Sequence, residues 1–331
     1  MELQPASARV LVSVMKAART HRYGSAEVID VVDMPAPKIG PDEILVRVRA
    51  SSVNPVDWKV RRGSLRLFSG LNPPKVLGAD FAGEVERTGR NVEDYAVGEK
   101  VFGMVQALKG GAYAEKILVR PKEIARMPAN ASFEQAAVLP LVSLTVHQLF
   151  FDRAPHTPGQ HVLVNGCTGG LGHIAVQMAK ALGYCVTGVC STRNLEVAQR
   201  LGADHVIDYR VQSPLAGERR YDLVFDAVAN IGFSKAKHVL TPDGVYVSSI
   251  PTPGSMLMAP ILNRFRRQQH RYLWVTPDGN ALRRVAQMVE AGQIKPIIEK
   301  VYELDDIRNA HTHSESGRVV GKLALRVARP N

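Results

Sequence analysis

The sequence predicts an α/β protein in which a β-rich domain leads into a doubly wound parallel sheet of six strands. Three observations carry this. From Lys16 to about Pro140, short apolar–polar alternations are separated by Gly and Pro turns. After Pro140, strands and helices alternate. A glycine-rich turn sits between the first strand and the first helix of that alternation. Many short strands with Gly/Pro punctuation indicate a small barrel or sandwich, and βαβ alternation indicates a parallel sheet.

The elements follow in order. Residues 43–50 end in the alternation Val46, Arg47, Val48, Arg49, the pattern of a half-buried strand. Pro35, Pro37, Gly40 and Pro41 punctuate the approach to it. Residues 81–87 read as another strand, and 98–103 as a turn entering a further one. Beyond Pro140, strands are expected at 161–165, 184–190, 205–209, 221–228, 244–250 and 272–275. Between them lie helices at 171–182, 195–201 and about 233–240, the first with Ile174, Met178 and Leu182 on one stripe. A helix at about 280–290 follows, and the tail is again strand-like, closing at 321–327.

The chain has 331 residues, enough for about two domains at roughly 150 residues each. With 45% hydrophobic and 22% charged residues it is neither collagenous nor largely disordered. Its three cysteines are too few for a disulfide framework, which points to a reducing, cytoplasmic setting. No apolar run approaches the roughly 18 residues of a membrane span. Residues 1–14 read as a short extension without the features of a signal or transit peptide. The formal net charge of +11 is unusual, and leaves nucleic acid, a membrane surface or an anionic ligand open as partners.

The glycine turn runs Asn165-Gly166-Cys167-Thr168-Gly169-Gly170-Leu171-Gly172. A strand–turn–helix of this kind is where backbone N–H groups and a helix N-terminus meet a dinucleotide pyrophosphate. Cys167 takes the place of the first glycine, so the motif is a variant. The second strand ends in Cys190-Ser191-Thr192-Arg193-Asn194, with no carboxylate to bind a ribose 2′-hydroxyl. Arg193 can instead pair with a 2′-phosphate, which favours NADPH. Capping of the next helix by Ser191 or Thr192 is the plainer reading of those two hydroxyls.

Taken together, the motifs resemble those of the zinc-independent medium-chain dehydrogenase/reductases, in the quinone oxidoreductase and alkenal/enone reductase branch that includes chloroplast-envelope quinone-oxidoreductase-like proteins. The resemblance runs from about Met15 to Val327. It rests on Ser52-Val53-Asn54-Pro55-Val56-Asp57-Trp58-Lys59, Leu77-Gly78-Ala79-Asp80-Phe81-Ala82-Gly83-Glu84-Val85, Gly111-Ala112-Tyr113-Ala114-Glu115, Ala136-Ala137-Val138-Leu139-Pro140 with Leu144-Thr145, the glycine turn, Leu201-Gly202-Ala203-Asp204, and Gly321-Lys322. It implies a GroES-like β-rich catalytic domain at 15–140, a Rossmann doubly wound parallel six-stranded cofactor domain at 141–275, and a return to the catalytic domain through a linking helix at 276–331.

The resemblance also implies site residues. Gly169, Gly170, Leu171 and Gly172 would hold the pyrophosphate. Ser191, Thr192, Arg193, Asn194 and Tyr209 would surround the 2′-phosphate. Thr145 and the backbone of Ile250 would lie near the nicotinamide, and Gly321 and Lys322 would close over the cofactor. Asn54 and Lys59 are donors for the negative charge that develops on a substrate oxygen, and Tyr113 could add its hydroxyl. Lys59 could instead reach the cofactor, and Asp57 could hold Lys59 or the ribose or simply cap a turn. Trp58, Phe68 and the segment 255–262 would shape the substrate pocket.

Zinc-dependent relatives place Cys and Gly-His-Glu where this chain has Asn54 and Gly78-Ala79-Asp80, so no metal is expected. His311 and His313 read as a solvated loop, and His147 and His173 as packing or surface residues. Without a Lewis acid, hydride addition to an electron-poor C=C of an α,β-unsaturated carbonyl, or to a quinone, is the expected reaction of an NADPH-dependent reductase. The alternatives are a zinc-free NADP-dependent alcohol or aldehyde dehydrogenase, and a non-catalytic relative that binds NADPH or nucleic acid. A homodimer stays open.

Two clusters concentrate the charge: Lys59, Arg61, Arg62 and Arg66, and then Arg264, Arg266, Arg267 and Arg271. The second follows the apolar run 256–262, which reads either as a lipophilic entrance touching an anionic membrane or as a buried helix with a solvated end.

Overall fold

A computed structural model describes residues 13–70, 72–73, 76–154, 157–250 and 253–328. Most of the expected extension, residues 1–12, lies outside the described residues. Val14 already belongs to a strand. Strands β1 (Val14–Thr20) and β2 (Ile29–Pro35) form an antiparallel pair. The chain then builds β3 (Ile44–Val53), β4 (Asp80–Thr88), β5 (Lys100–Met104), β6 (Lys116–Val119) and β7 (Ile124–Arg126). In β3, buried Val46 and Val48 alternate with Arg47 and Arg49, as expected of a strand with one wet face. On that face Arg49 pairs with Glu84 of the neighbouring β4 at 2.9 Å, and Lys116 of β6 reaches across β3 to Glu86 of β4 at 2.7 Å.

The second half of the chain contributes β8 (His161–Asn165), β9 (Cys185–Cys190), β10 (His205–Asp208), β11 (Tyr221–Asp226), β12 (Leu240–Ser248) and β13 (Gln269–Tyr272). They form one parallel sheet in the order β10-β9-β8-β11-β12-β13. The order reverses between β8 and β11, and ligands bind such sheets in the crevice beyond the strand ends at that point. Finally β14 (Ile298–Glu303) and β15 (Lys322–Arg326) return to the first sheet, giving the order β14-β15-β3-β4-β5-β7 with β6 also on β3. Thus β15, from the far end of the chain, lies beside β3, which carries the 52–59 motif.

Two glycines explain the tight turn after β8. A Cβ on Gly172 would sit 2.1 Å from the Gly166 carbonyl oxygen, so the ten-residue helix Gly172–Ala181 packs this closely only through glycine. A Cβ on Gly188 would lie 2.8 Å from Cys167 Sγ. Gly188 on β9 therefore makes room for Cys167, which is how the variant motif keeps its turn.

Several expectations are corrected. The last parallel strand is Gln269–Tyr272, not 272–275. It is an edge strand of half-buried polar residues, so it lacks an apolar signature, and Trp274 has already left the sheet to meet Phe68 edge-on at 5.9 Å. The helix near 233 ends at Ala236, because Leu240 opens β12 and pairs with Tyr221. The run 256–262 is helical (Pro253–Leu262) but not buried: Leu257 is 69% and Ile261 50% exposed. His311 lies in a helix, Ile307–Glu315, and is fully buried rather than in a solvated loop. Arg61 is also fully buried, donating to the Gly24 carbonyl at 3.2 Å and pairing with Glu315, so the first basic cluster is not an open cationic patch.

Candidate active site

The site begins where β3 runs into the helix Pro55–Arg61. Pro55 at the first helical position needs no N–H partner, and Asp57 closes the helix start by accepting the Asn54 backbone N–H at 2.8 Å. The same Asp57 oxygen accepts the Tyr113 hydroxyl at 2.8 Å. Tyr113 lies under the site, edge-on to His311 at 5.7 Å. Gly78, with φ +89°, gives its ring room, since a Cβ there would meet the ring at 2.4 Å. The 77–80 and 111–115 motifs are therefore two halves of one packing contact.

Beside this lies a second buried knot. The Asp80 carboxylate accepts Ser52 Oγ at 2.7 Å, Asn54 Nδ2 at 2.9 Å and the Leu141 N–H at 2.8 Å. Lys322 Nζ lies 3.8 Å from Asp80, donates to the Val53 carbonyl at 3.4 Å and also donates to Asn54 Oδ1. Burial pushes the Asp80 carboxyl up and the Lys322 ammonium down, and each charge opposes the shift of the other. Asp80 is met only by donors, which fits a carboxylate paired with an ammonium.

Asp57 is held differently. Burial pushes its carboxyl up to about 7, against the bonds from Asn54 and Tyr113, and its other oxygen is buried without a partner. The unfolded value is near 3.8, so the ionised form is the one the fold disfavours. Stability from this group is complete below that value and is lost as pH rises through about 7, by at most ~4 kcal/mol. Asp57→Asn keeps an acceptor for Asn54 and is expected to remove this slope. Denaturant unfolding at pH 5 and pH 8 checks it: the loss on going to the higher pH should be smaller in the variant, and equal losses would count against the assignment.

The dinucleotide side meets this knot directly. The Gly321 N–H donates to the Thr168 carbonyl at 2.8 Å. A Cβ on Gly170 would lie 3.4 Å from Lys322 Cδ and 3.5 Å from the Gly321 carbonyl oxygen, so Gly170 keeps this approach open. Gly169 faces only the Gly166 carbonyl, at 3.4 Å from an added Cβ. Beneath them His173 is fully buried, its Nδ1 3.0 Å from the Gly169 carbonyl, and burial lowers its pKa to about 4. The open glycines at the N-terminus of a ten-residue helix suit a pyrophosphate.

At the end of β9, Arg193 is exposed, donates to the Arg318 carbonyl at 2.9 Å and meets no carboxylate among the described residues. Asn194 donates to Thr168 Oγ1 at 3.1 Å. Ser191 makes no side-chain cap bond, and Thr192 bonds to Asp208 instead. Capping thus does not explain Ser191. The Tyr209 N–H donates to the Cys190 carbonyl at 3.1 Å while its ring is exposed. Thr145 donates to the Leu141 carbonyl at 2.7 Å, and Ile250 is held through Ser248 Oγ at 3.1 Å.

The structure brings Gly169 to Gly172, Gly321, Lys322, Asn54 and Asp57 together. It also corrects several roles. Asn54 and Tyr113 are fully buried, and their donors already serve Asp80 and Asp57, so neither presents a free donor to a substrate. Asp57 closes a helix start and holds neither Lys59 nor an open ribose site. Lys322 points into the knot under Asn54 rather than out over the crevice. Lys59 is the exception: half-buried, 5.5 Å above the Trp58 ring, it has no carboxylate partner among the described residues, and burial lowers its pKa. A hollow of about 690 Å³ near Gly40, Asn91 and Arg120 takes in none of these residues.

Sequence reasoning missed the roles of Asp80, Ser52 and Asp226. Asp226, fully buried at the end of β11, accepts Asn165 Nδ2 at 2.7 Å, two loop N–H groups at 2.9 and 2.8 Å and the Tyr246 hydroxyl at 2.9 Å. An acid closing an otherwise apolar buried strand was the available signal. Among the described residues no three His, Cys, Asp or Glu side chains converge as a metal site.

Residues 40–129 match the family model described as an alcohol dehydrogenase GroES-like domain, and residues 201–325 match that described as a zinc-binding dehydrogenase. The chain is 30% identical to a chloroplast envelope quinone oxidoreductase homolog of Arabidopsis thaliana, over 94% of this chain and 98% of the relative. It is 31% identical to a 2-methylene-furan-3-one reductase of Solanum lycopersicum, over 95% of this chain and 79% of the relative. Its fold superposes on a quinone oxidoreductase from Coxiella burnetii with a TM-score of 0.87 at 30% identity, covering 96% of this chain and all of that one.

Proposed function

The chain belongs to the medium-chain dehydrogenase/reductase family and is an NAD(P)H oxidoreductase, and from that premise we propose that it is an NADPH-dependent reductase of an electron-poor C=C in an α,β-unsaturated carbonyl, or of a quinone, acting without a metal. When bound, the nicotinamide supplies a hydride. The observation that carries the reading is the donor set. Where a zinc site would need thiolate and imidazole, the chain has Asn54 and Ala79, and the nearby Lys59 is a half-buried cation with no carboxylate partner among the described residues.

Lys59 is assigned as the donor that stabilises negative charge on the substrate oxygen, where a poorly solvated ammonium acts most strongly. Asn54, Tyr113 and Asp57 position the helix that carries Lys59. Lys322 and Asp80 join that helix start to the glycine turn. Arg193 and Asn194 favour a 2′-phosphate, and thus NADPH over NADH. Three free cysteines suit a reducing, cytoplasmic setting. Among the described residues no helix is long and apolar enough to cross a membrane.

Mixing the protein with NADPH and a panel of enones and quinones, and following nicotinamide absorbance, tests the proposal. Turnover on at least one is expected. Bound NADPH with no turnover on any would overturn it.

A further inference from the structure

The helix Pro253–Leu262 carries an apolar stripe that no other part of the described chain covers. Leu257, Ile261 and Phe265 are spaced four residues apart and are 69%, 50% and 82% exposed, with Met258 beside them. Residues at this spacing lie on one helix face, and Phe265 follows in the turn beyond it. Arginines flank the stripe. Arg267 pairs with Asp243 at 2.6 Å, and Arg271 donates to the Arg153 carbonyl. Arg264 and Arg266 meet no carboxylate among the described residues, and Arg266 lies over the Phe233 ring at 5.7 Å. Behind the stripe a cavity of about 370 Å³ opens between this helix and β13, lined by Phe233, Met258, Leu262, Arg266 and His270.

From this juxtaposition we infer that the helix Pro253–Leu262 and its arginines dock on an anionic lipid surface. An apolar stripe edged by arginines can bury in the acyl boundary while the guanidinium groups meet phosphates. The charge favours this occupant over a second copy of the chain. Two copies meeting on this patch would each bring Arg264 and Arg266, without carboxylate partners among the described residues, into one interface, whereas an anionic bilayer complements them. The overall charge of +11 acts in the same direction. Docking requires no turnover, so it stands or falls separately from the proposed reaction.

Sedimentation with phosphatidylcholine vesicles, with and without phosphatidylglycerol, tests the inference at low salt. The protein should sediment with the anionic vesicles, stay in solution with the neutral ones, and be released by added salt. Leu257→Ser with Phe265→Ser, and separately Arg264→Glu with Arg266→Glu, should each weaken binding at least tenfold. The exposed pair Arg87→Glu with Arg90→Glu should change it less than threefold. Thermal unfolding of each variant confirms that it is folded, as expected for exposed positions. No sedimentation at low salt, or equal binding by all variants, would overturn the inference. So would light scattering that shows Leu257→Ser with Phe265→Ser turning a dimer into a monomer while vesicle binding is unchanged, because the stripe would then belong to a second copy.

Discussion

Lys322→Met should destabilise the protein by about 3–5 kcal/mol, because it leaves the Asp80 carboxylate buried without its cation. Asp80→Asn in the same chain should recover most of that loss. The amide oxygen keeps the Leu141 N–H, its NH2 group faces Ser52 and Asn54, whose hydroxyl and amide can turn to accept from it, and no unpaired charge remains. Denaturant unfolding of both single variants and the double variant measures the coupling. If the double variant is as unstable as the sum of the singles, Lys322 and Asp80 do not act as a pair. The expected effect is large because the pair ties β15, the end of β3 and the Leu141 N–H to one point.

Arg193→Ala should weaken NADPH binding about 10- to 100-fold, the range for losing a charge-assisted contact to a phosphate. NADH binding should change less than about threefold, since without the 2′-phosphate the guanidinium has no matching anion. Titration of nicotinamide fluorescence with each cofactor gives both constants. Equal losses would remove the phosphate role and leave Arg193 only its bond to the Arg318 carbonyl.

Much of this architecture was legible in the sequence because it is periodic or local. The strand His161–Asn165 shows through its apolar centre, Val162, Leu163 and Val164, and the helix Gly172–Ala181 through a stripe of Ile174 and Met178. The glycine turn is legible because Gly166 and Gly172 are demanded by contacts under 3 Å. Edge elements were harder to read. Gln269–Tyr272 packs on one side only and carries no hydrophobic pattern, so the neighbouring run 272–275 drew the assignment away from it.

The site was legible in its membership more than in its roles. Lys322 and Asn54 are 268 residues apart, and Asp80 and Leu141 are 61 apart. No local pattern announces such pairs, because they form only when the last strand returns beside β3. The same holds for Tyr113, a plausible donor from its motif alone, which folding places beneath Asp57. His311 and Arg61 share a fully buried contact of 3.3 Å across 250 residues, so neither could be told from a surface residue by its neighbours in sequence.

Direct hydride delivery to carbon is the central step of the proposed reaction, and isotope transfer tests it. NADPH deuterated at the transferring position of its nicotinamide is incubated with the protein and an α,β-unsaturated ketone, and the product is read by NMR. Deuterium is expected on the β-carbon of a saturated ketone, one per NADPH consumed. Deuterium on the carbinol carbon of an unsaturated alcohol would contradict it and point to carbonyl reduction instead.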